Sequence, residues 1–144
     1  QCKNAGADMV FEHPSKESVN DLLDYTAGQK IDKIIDGDFG INLQYILNIL
    51  KPNGNITTYA SMSKMKPTFP FYQMMNLNTN IRTVFVYDIP KKAKKDAIKD
   101  IASYLESNSL IHRLSRKYPL KNISEAHIKI EDKNTDFGAV IINP

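Results

Sequence analysis

Two short runs of β-branched residues end in polar segments that could contact a bound ligand. The run from Ile31 to Asp36 continues into Gly37 and Asp38, and the run from Asn55 to Ser61 ends in Tyr59-Ala60-Ser61. No serine lies in the strand-turn-helix pattern of a nucleophile elbow, and no order of serine, histidine and aspartate suggests hydrolysis. We therefore expect these segments to bind a ligand rather than to attack one.

The stretch between the two runs predicts how they are positioned. Leu43, Ile46, Leu47 and Leu50 recur at helical spacing, and Pro52-Asn53-Gly54 then ends the helix in a turn. A strand, a helix and a second strand form a right-handed crossover with parallel neighbouring strands. Ligands bind at the carboxyl ends of such strands. The predicted site therefore lies where Asp36-Gly37 and Tyr59-Ala60-Ser61 meet.

The remaining chain alternates between strand and helix patterns. This alternation predicts an α/β fold with a mostly parallel sheet that is covered on both faces. Ser15 is expected to cap the first helix, and Pro90 to begin the longest one. The further predicted elements are strands at Met9 to Glu12, Asn80 to Tyr87, Ile111 to Tyr118 and Ala139 to Ile142, and helices at Ser15 to Tyr25, Phe69 to Met75, Pro90 to Ser107 and Ile123 to Ile130.

Composition excludes several classes of protein. A chain of 144 residues that is 42% hydrophobic can bury one core. The net charge of +3 is too small to argue for nucleic acid. The lysine cluster from Lys91 to Lys95 has no interleaved aromatic residues and is expected to form a solvated helix face. No apolar run approaches the roughly 18 residues of a membrane span, and no signal peptide is recognisable. We expect a cytoplasmic protein that binds neither nucleic acid nor membranes.

Cysteine and histidine spacing argues against a metal site. Cys2 is the single cysteine, which excludes an internal disulfide and fits a reducing compartment. His13, His112 and His127 do not combine with carboxylates at metal-ligand spacing. We therefore predict no bound metal.

Four segments in order resemble a known superfamily. They are Gly6 to Val10, Ile31 to Asp36, Leu50 to Ile56, and Tyr118-Pro119-Leu120 followed by Glu125-Ala126-His127. Together they are similar to the medium-chain dehydrogenase/reductase superfamily, and most similar to its zinc-independent NADPH:quinone oxidoreductase branch. The resemblance implies a Rossmann-type cofactor domain with strand order 3-2-1-4-5-6 and a glycine-rich phosphate loop after its first strand.

The same resemblance implies which part of that fold is present. The chain would supply strands three to six, a partial doubly wound sheet, within residues 1–111, and a return segment at 112–144 that packs on a catalytic domain. No G-x-G-x-x-G motif occurs in the sequence. We therefore expect a C-terminal fragment that lacks the catalytic domain and the glycine-rich loop.

The implied activity is hydride transfer from NADPH to a quinone or a conjugated carbonyl. The fragment alone is expected to be inactive and to bind NADPH weakly or not at all. Two alternatives stay open: a fragment of a zinc-dependent alcohol dehydrogenase, and a non-catalytic dimerisation or binding module. The resemblance also implies a homodimer through the strand Asn80 to Tyr87.

The resemblance assigns cofactor contacts to four places. Asp36-Gly37-Asp38 would lie near the ribose and pyrophosphate, although an ordinary turn with Asp38 as helix N-cap explains it equally simply. Tyr59-Ala60-Ser61 would approach the nicotinamide ribose, with Ala60 in place of the usual glycine. The backbone of Phe85-Val86-Tyr87 would bond the carboxamide or form a dimer strand. His13 would stack on the adenosine, meet a 2′-phosphate or simply lie on the surface.

Overall fold

The computed structural model describes residues 2–11, 14–110, 113–132 and 138–144. It consists of two compact units, Gln1–Lys94 and Lys95–Pro144. The predicted domain boundary after residue 111 concerns packing on a catalytic domain and therefore stays a prediction.

The first unit is built around a parallel three-stranded sheet with the order β1-β2-β3. This arrangement confirms the predicted α/β class and the parallel crossover between the two β-branched runs. The elements are α1 (Lys16–Tyr25), β1 (Ile31–Asp36), α2 (Phe39–Ile49), β2 (Leu50–Thr58), α3 (Phe71–Asn76) and β3 (Asn80–Thr83), with 3-10 turns at Lys3–Ala5 and Val86–Asp88.

The core of this unit lies under α2. The predicted helical stripe is buried, with Leu43 and Leu47 packed on Met74. Ile46 packs on Ile56 and on Leu50, which was predicted in the helix but is the first residue of β2. The helix ends at Ile49, and the predicted turn follows within β2, where Asn53 has a φ of 62°. Asparagine tolerates this left-handed conformation better than most residues. The register then resumes, with Lys33 opposite Asn55.

The predicted strand at Met9 to Glu12 is wrong for the residues that are described. Met9, Val10 and Phe11 belong to no strand, and Glu12 lies outside the described residues. Met9 and Val10 are exposed. β-propensity reflects packing against neighbouring strands, and among the described residues this segment has no strand beside it.

The predicted strand at Asn80 to Tyr87 is also too long. β3 ends at Thr83, and Val86–Asp88 forms a 3-10 turn. The reason lies in β2, which ends at Thr58 directly opposite Thr83. One further bond joins the Val84 amide to the Thr58 carbonyl at 2.8 Å. Beyond this bond β3 has no parallel neighbour to continue the ladder.

The N-terminus of α1 follows the sequence prediction closely. Ser15 accepts a hydrogen bond from the Ser18 amide at 3.1 Å, and Ser18 Oγ accepts one from the Ser15 amide at 2.8 Å. The two residues thus form a reciprocal capping box.

Replacing Ser15 by alanine is expected to destabilise α1 by about 1 kcal/mol, because the first-turn amide loses its acceptor. Urea unfolding together with amide exchange in α1 measures the loss. Ser15→Asp is the matched control, since it retains an acceptor at the cap. An equal loss in both variants would contradict the assigned cap.

The second unit contains a smaller parallel sheet. Its strands are β4 (Leu114–Pro119) and β5 (Ala139–Asn143), joined through a 3-10 turn at Leu120–Asn122 and α5 (Ile123–Glu131). Tyr118 and Ala126 are buried. The strand predicted at Ile111 to Tyr118 begins at Leu114 among the described residues. Arg113 is not part of it, and residues 111 and 112 are not described. The predicted long helix is α4 (Lys91–Glu106).

Among the described residues, no helix is long and apolar enough to cross a membrane.

Candidate functional site

The carboxyl ends of β2 and β3 border a small open pocket with a volume of about 270 Å³. Phe39 at the start of α2 forms its remaining wall. The predicted segment Tyr59-Ala60-Ser61 lines this pocket, and so does Phe85. The structure thus brings together two of the four places that the sequence singled out.

Asp36 is buried at the end of β1 and holds three elements together. Its side chain is 5% exposed. Oδ1 accepts a hydrogen bond from Asn42 Nδ2 at 2.7 Å, and Oδ2 accepts one from Thr58 Oγ1 at 3.1 Å. The carboxylate therefore joins β1 to α2 and to β2. Asp36 does not line the pocket at the ends of β2 and β3. It lines a separate pocket of about 310 Å³ that residues of α1 and α2 also border.

The sequence analysis identified neither partner of Asp36, although Thr58 could have been found from the sequence. Thr58 lies directly opposite Asp36 in the parallel register. Aligning the two predicted strands by their carboxyl ends would have placed Thr58 beside Asp36. Asn42 follows Asp36 across the turn into α2, and its pairing depends on the geometry of that turn.

Gly37 and Tyr59 lie against each other at the pocket rim. A Cβ added at Gly37 would lie 2.9 Å from Tyr59 Oη, closer than carbon and oxygen normally approach. The glycine therefore leaves room for the tyrosine ring over the turn between β1 and α2. Tyr59 is itself exposed, so its outer face remains open to a ligand.

Asp38 occupies the N-cap position of α2, as the alternative interpretation predicted, but its side chain makes no capping hydrogen bond. The first amides of the helix already have other acceptors. The Phe39 amide donates to the Ala60 carbonyl at 2.9 Å, and the Gly40 amide donates to Ser61 Oγ at 2.9 Å. The Asp38 carboxylate accepts instead from the Ser63 amide at 3.1 Å and pairs with Ser63 Oγ.

Only part of the third predicted segment, Phe85-Val86-Tyr87, lies at the pocket. Phe85 lines the pocket, whereas Val86 and Tyr87 turn away in the 3-10 turn and are exposed. The rings of Phe85 and Tyr87 lie 5.4 Å apart at a tilt of 59°. His13, the fourth predicted place, lies outside the described residues.

Two carboxyl groups with lowered pKa lie away from the pocket lining. A hydrogen bond from Lys51 Nζ at 2.8 Å lowers the pKa of Asp32. The backbone amide of Glu17 lowers the pKa of that side chain, with a further contribution from Ser15. A depressed carboxyl pKa stabilises the fold above the unfolded pKa, and this stability is lost as the pH falls through the folded value. Because both groups are exposed to solvent, neither marks a catalytic acid or base.

The family is decided by the comparison of the sequence with known families. Residues 1–103 match the family described as zinc-binding dehydrogenase. The chain belongs to this family. The predicted resemblance to the medium-chain dehydrogenase/reductase superfamily is thereby confirmed at the level of the superfamily. No curated protein sequence matches the chain.

Solved structures agree with this family in fold. A mycobacterial quinone oxidoreductase superposes with a TM-score of 0.83 at 19% identity over 99% of this chain and 44% of its own. A mycobacterial protein complexed with NADPH gives a TM-score of 0.76 at 18% identity over 99% of this chain and 45% of its own. An NAD-dependent alcohol dehydrogenase gives a TM-score of 0.74 at 20% identity over 99% of this chain and 39% of its own. The chain thus spans about two fifths of the length of these structures.

The zinc named by the family has no matching ligand set in the described part of the chain. No group of three or more histidine, cysteine, aspartate or glutamate side chains is placed there to hold a metal ion. The described residues therefore do not fit a zinc site.

A nicotinamide cofactor fits in part. The 270 Å³ pocket has room for a nicotinamide ring between Tyr59 and Phe85. Its described lining contains no basic side chain that could hold a pyrophosphate, and the first amides of α2 are engaged by Ala60 and Ser61. The pocket therefore suits the nicotinamide end of the cofactor rather than its phosphates.

Proposed function

We propose that the chain forms the cofactor side of an NADPH-dependent oxidoreductase of the quinone reductase type. The observation that carries this proposal is the pocket between the ends of β2 and β3, with Tyr59 and Phe85 in its lining. In parallel α/β sheets the carboxyl ends of the strands are where ligands bind. Membership of a dehydrogenase family supports a nicotinamide as that ligand.

The bound cofactor would supply a hydride for an electron-poor acceptor, while the protein supplies orientation and a dry site. Tyr59 and Phe85 would border the nicotinamide ring, and the backbone at Ala60 and Ser61 would approach its ribose. Ala60 carries a β-carbon where the family usually has glycine. We therefore expect the ribose to lie slightly further from this wall. Asp36 would act on the site only through Thr58 and Asn42.

We propose NADPH rather than NADH as the cofactor because the sequence resembles the quinone reductase branch. One structural neighbour is described as complexed with NADPH, and another as NAD-dependent. The sequence contains no G-x-G-x-x-G motif. We therefore propose that the cofactor phosphates bind residues outside these 144, and that the chain alone binds NADPH weakly or not at all.

Self-association through the edge of β3 belongs to the same proposal. β3 pairs with β2 on one side, and within the described chain its other side has no neighbouring strand. Arg82 is the one charged residue of β3. An open edge that is uncharged apart from Arg82 favours antiparallel pairing with a second copy, although the edge is only the four residues Asn80–Thr83.

A zinc-dependent alcohol dehydrogenase is the second candidate, favoured by the description of the matching family. A dimerisation module without catalysis is the third, favoured by the same open edge of β3. The three candidates differ in what they require. The quinone reductase needs NADPH and a quinone, the alcohol dehydrogenase needs zinc and an alcohol, and the dimerisation module needs no cofactor, metal or substrate.

The test is NADPH oxidation by the longest natural polypeptide that contains this chain, with a panel of quinones as acceptors. Oxidation that depends on the quinone, by protein free of zinc, supports the proposal. Alcohol oxidation that is lost on zinc chelation favours the alcohol dehydrogenase instead. A dimer that shows neither activity and binds no cofactor leaves the dimerisation module.

A further inference from the structure

The segment from Ala60 to Lys64, here called the 60–64 loop, lies across the first turn of α2. The Ala60 carbonyl accepts the Phe39 amide, and Ser61 Oγ accepts the Gly40 amide. Ser61 Oγ in turn donates to the Lys64 carbonyl at 2.7 Å. The start of α2 is thus bonded to both ends of the loop, directly or through Ser61.

Close packing at Gly40 shows how tightly the loop fits. A Cβ added at Gly40 would lie 2.2 Å from the Lys64 carbonyl oxygen and 2.7 Å from Ser61 Oγ. Both distances are shorter than any normal contact of a carbon atom. Only glycine at this position allows the loop to approach the helix so closely.

Asp38 is the side chain that holds the middle of the loop. Both of its carboxylate oxygens lie near the Ser63 amide, at 3.1 and 3.3 Å, and one also pairs with Ser63 Oγ. Asp38 is half-buried, and Ser63 is exposed. A hydrogen bond to a charged carboxylate is stronger than one between neutral groups. Asp38 therefore joins the turn after β1 to a loop whose first residues, Ala60 and Ser61, line the pocket.

We propose that Asp38 is a positioning residue for the pocket, an inference that rests on the proposed function. By anchoring Ser63, Asp38 keeps Ser61 and the Ala60 carbonyl on α2. These bonds in turn set the place of Tyr59 beside Gly37. Asp38 acts at a distance from the cofactor ring, through the loop, and does not itself line the pocket.

The role is distinct from a general contribution to stability. The bonds between Asp38 and Ser63 lie at the surface, away from the buried clusters around Leu47 and Ile56. Their loss should loosen the loop much more than it lowers the midpoint of global unfolding. A change confined to the loop is what a positioning role requires.

The test compares Asp38→Ala with Asp38→Asn in the longest natural polypeptide that contains this chain. Asparagine keeps an oxygen that can accept from the Ser63 amide, whereas alanine keeps none. Asp24→Ala, at an exposed position near the end of α1, is the control for the loss of one negative charge. Two quantities are measured: amide exchange at Phe39 and Gly40, and the Kd for NADPH.

Asp38→Ala is expected to accelerate exchange at both amides and to raise the Kd about tenfold, the change that corresponds to one hydrogen bond of ordinary strength. Asp38→Asn should recover most of both effects, and Asp24→Ala should show neither. Unchanged exchange would overturn the proposal, because Asp38 would then not hold the loop. Faster exchange with an unchanged Kd would overturn its role in binding.

Failure of the proposed function is recognised separately. If the unaltered protein binds no NADPH, the proposed function fails. The exchange rates at Phe39 and Gly40 alone then decide whether Asp38 positions the loop.

Discussion

Replacing Ile56 by alanine is expected to lower the free energy of unfolding by about 2 to 5 kcal/mol. Ile56 lies on the central strand β2, between Ile34 of β1 and Ile81 of β3 in register. Its side chain is 1% exposed and packs with Ile46 and Leu50 beneath α2. Alanine would remove buried methyl and methylene groups and leave a cavity in a cluster that cannot close readily. Urea unfolding of the wild type and the variant measures the loss.

The matched control is Ile35→Ala, one residue along from Ile34 on the neighbouring strand. The Ile35 side chain is 80% exposed, so its truncation leaves no cavity. We expect a change of less than about 1 kcal/mol, mainly from the lower β-propensity of alanine. Similar losses in both variants would show that Ile56 is not the centre of this core.

Replacing Asp36 by alanine is the second large expected effect. The substitution leaves Asn42 Nδ2 without its acceptor and removes the better acceptor of Thr58 Oγ1, which retains a bond of 3.3 Å to the Ala60 carbonyl. Each buried polar group that loses its partner costs about 1 to 3 kcal/mol. Asn42 is half-buried and Thr58 keeps one acceptor, so we expect a loss of about 1 to 3 kcal/mol in the free energy of unfolding, measured by the same urea titration.

Two variants separate the hydrogen bonds of Asp36 from its charge. In Asp36→Asn the amide oxygen can accept from Asn42 Nδ2, and the amide nitrogen can donate to Thr58 Oγ1, which keeps its bond to the Ala60 carbonyl. We therefore expect a smaller loss than in Asp36→Ala. Asp32→Ala removes a carboxylate from the same strand, where the side chain is 73% exposed and paired with Lys51. A surface pair of this kind contributes about 0 to 1 kcal/mol. If Asp32→Ala cost as much as Asp36→Ala, the buried network would not explain the effect.

The sequence predicted those parts of the fold that depend on local patterns. The stripe of Leu43, Ile46 and Leu47 has the spacing of a helix, and the same spacing buries it against the sheet. The capping box of Ser15 and Ser18 closes within three residues of chain. These features are decided within a few turns of backbone, where periodicity and capping preferences act directly.

The errors concern contacts between distant residues. β3 ends where its neighbour β2 ends, and no property of Phe85 or Val86 reveals that limit. Met9 and Val10 have strand propensity but no neighbouring strand among the described residues. A strand prediction from residue type alone cannot account for the position of its partner.

The candidate site shows the same division. The crossover pattern predicted that Tyr59-Ala60-Ser61 would lie at a strand end, and the pocket forms there. The pairing of Asp38 with Ser63 joins residues 25 positions apart. It replaced the expected cap because the 60–64 loop had already supplied acceptors for the first amides of α2. Only the folded loop could show this.

The most direct test of a nicotinamide site is an NADPH fluorescence titration of two proteins: this 144-residue chain and the longest natural polypeptide that contains it. We expect saturable binding by the longer polypeptide and weak or no binding by the chain alone, because the described pocket has no basic side chain for the phosphates. Absence of binding by both would contradict the assignment of the pocket to a nicotinamide cofactor.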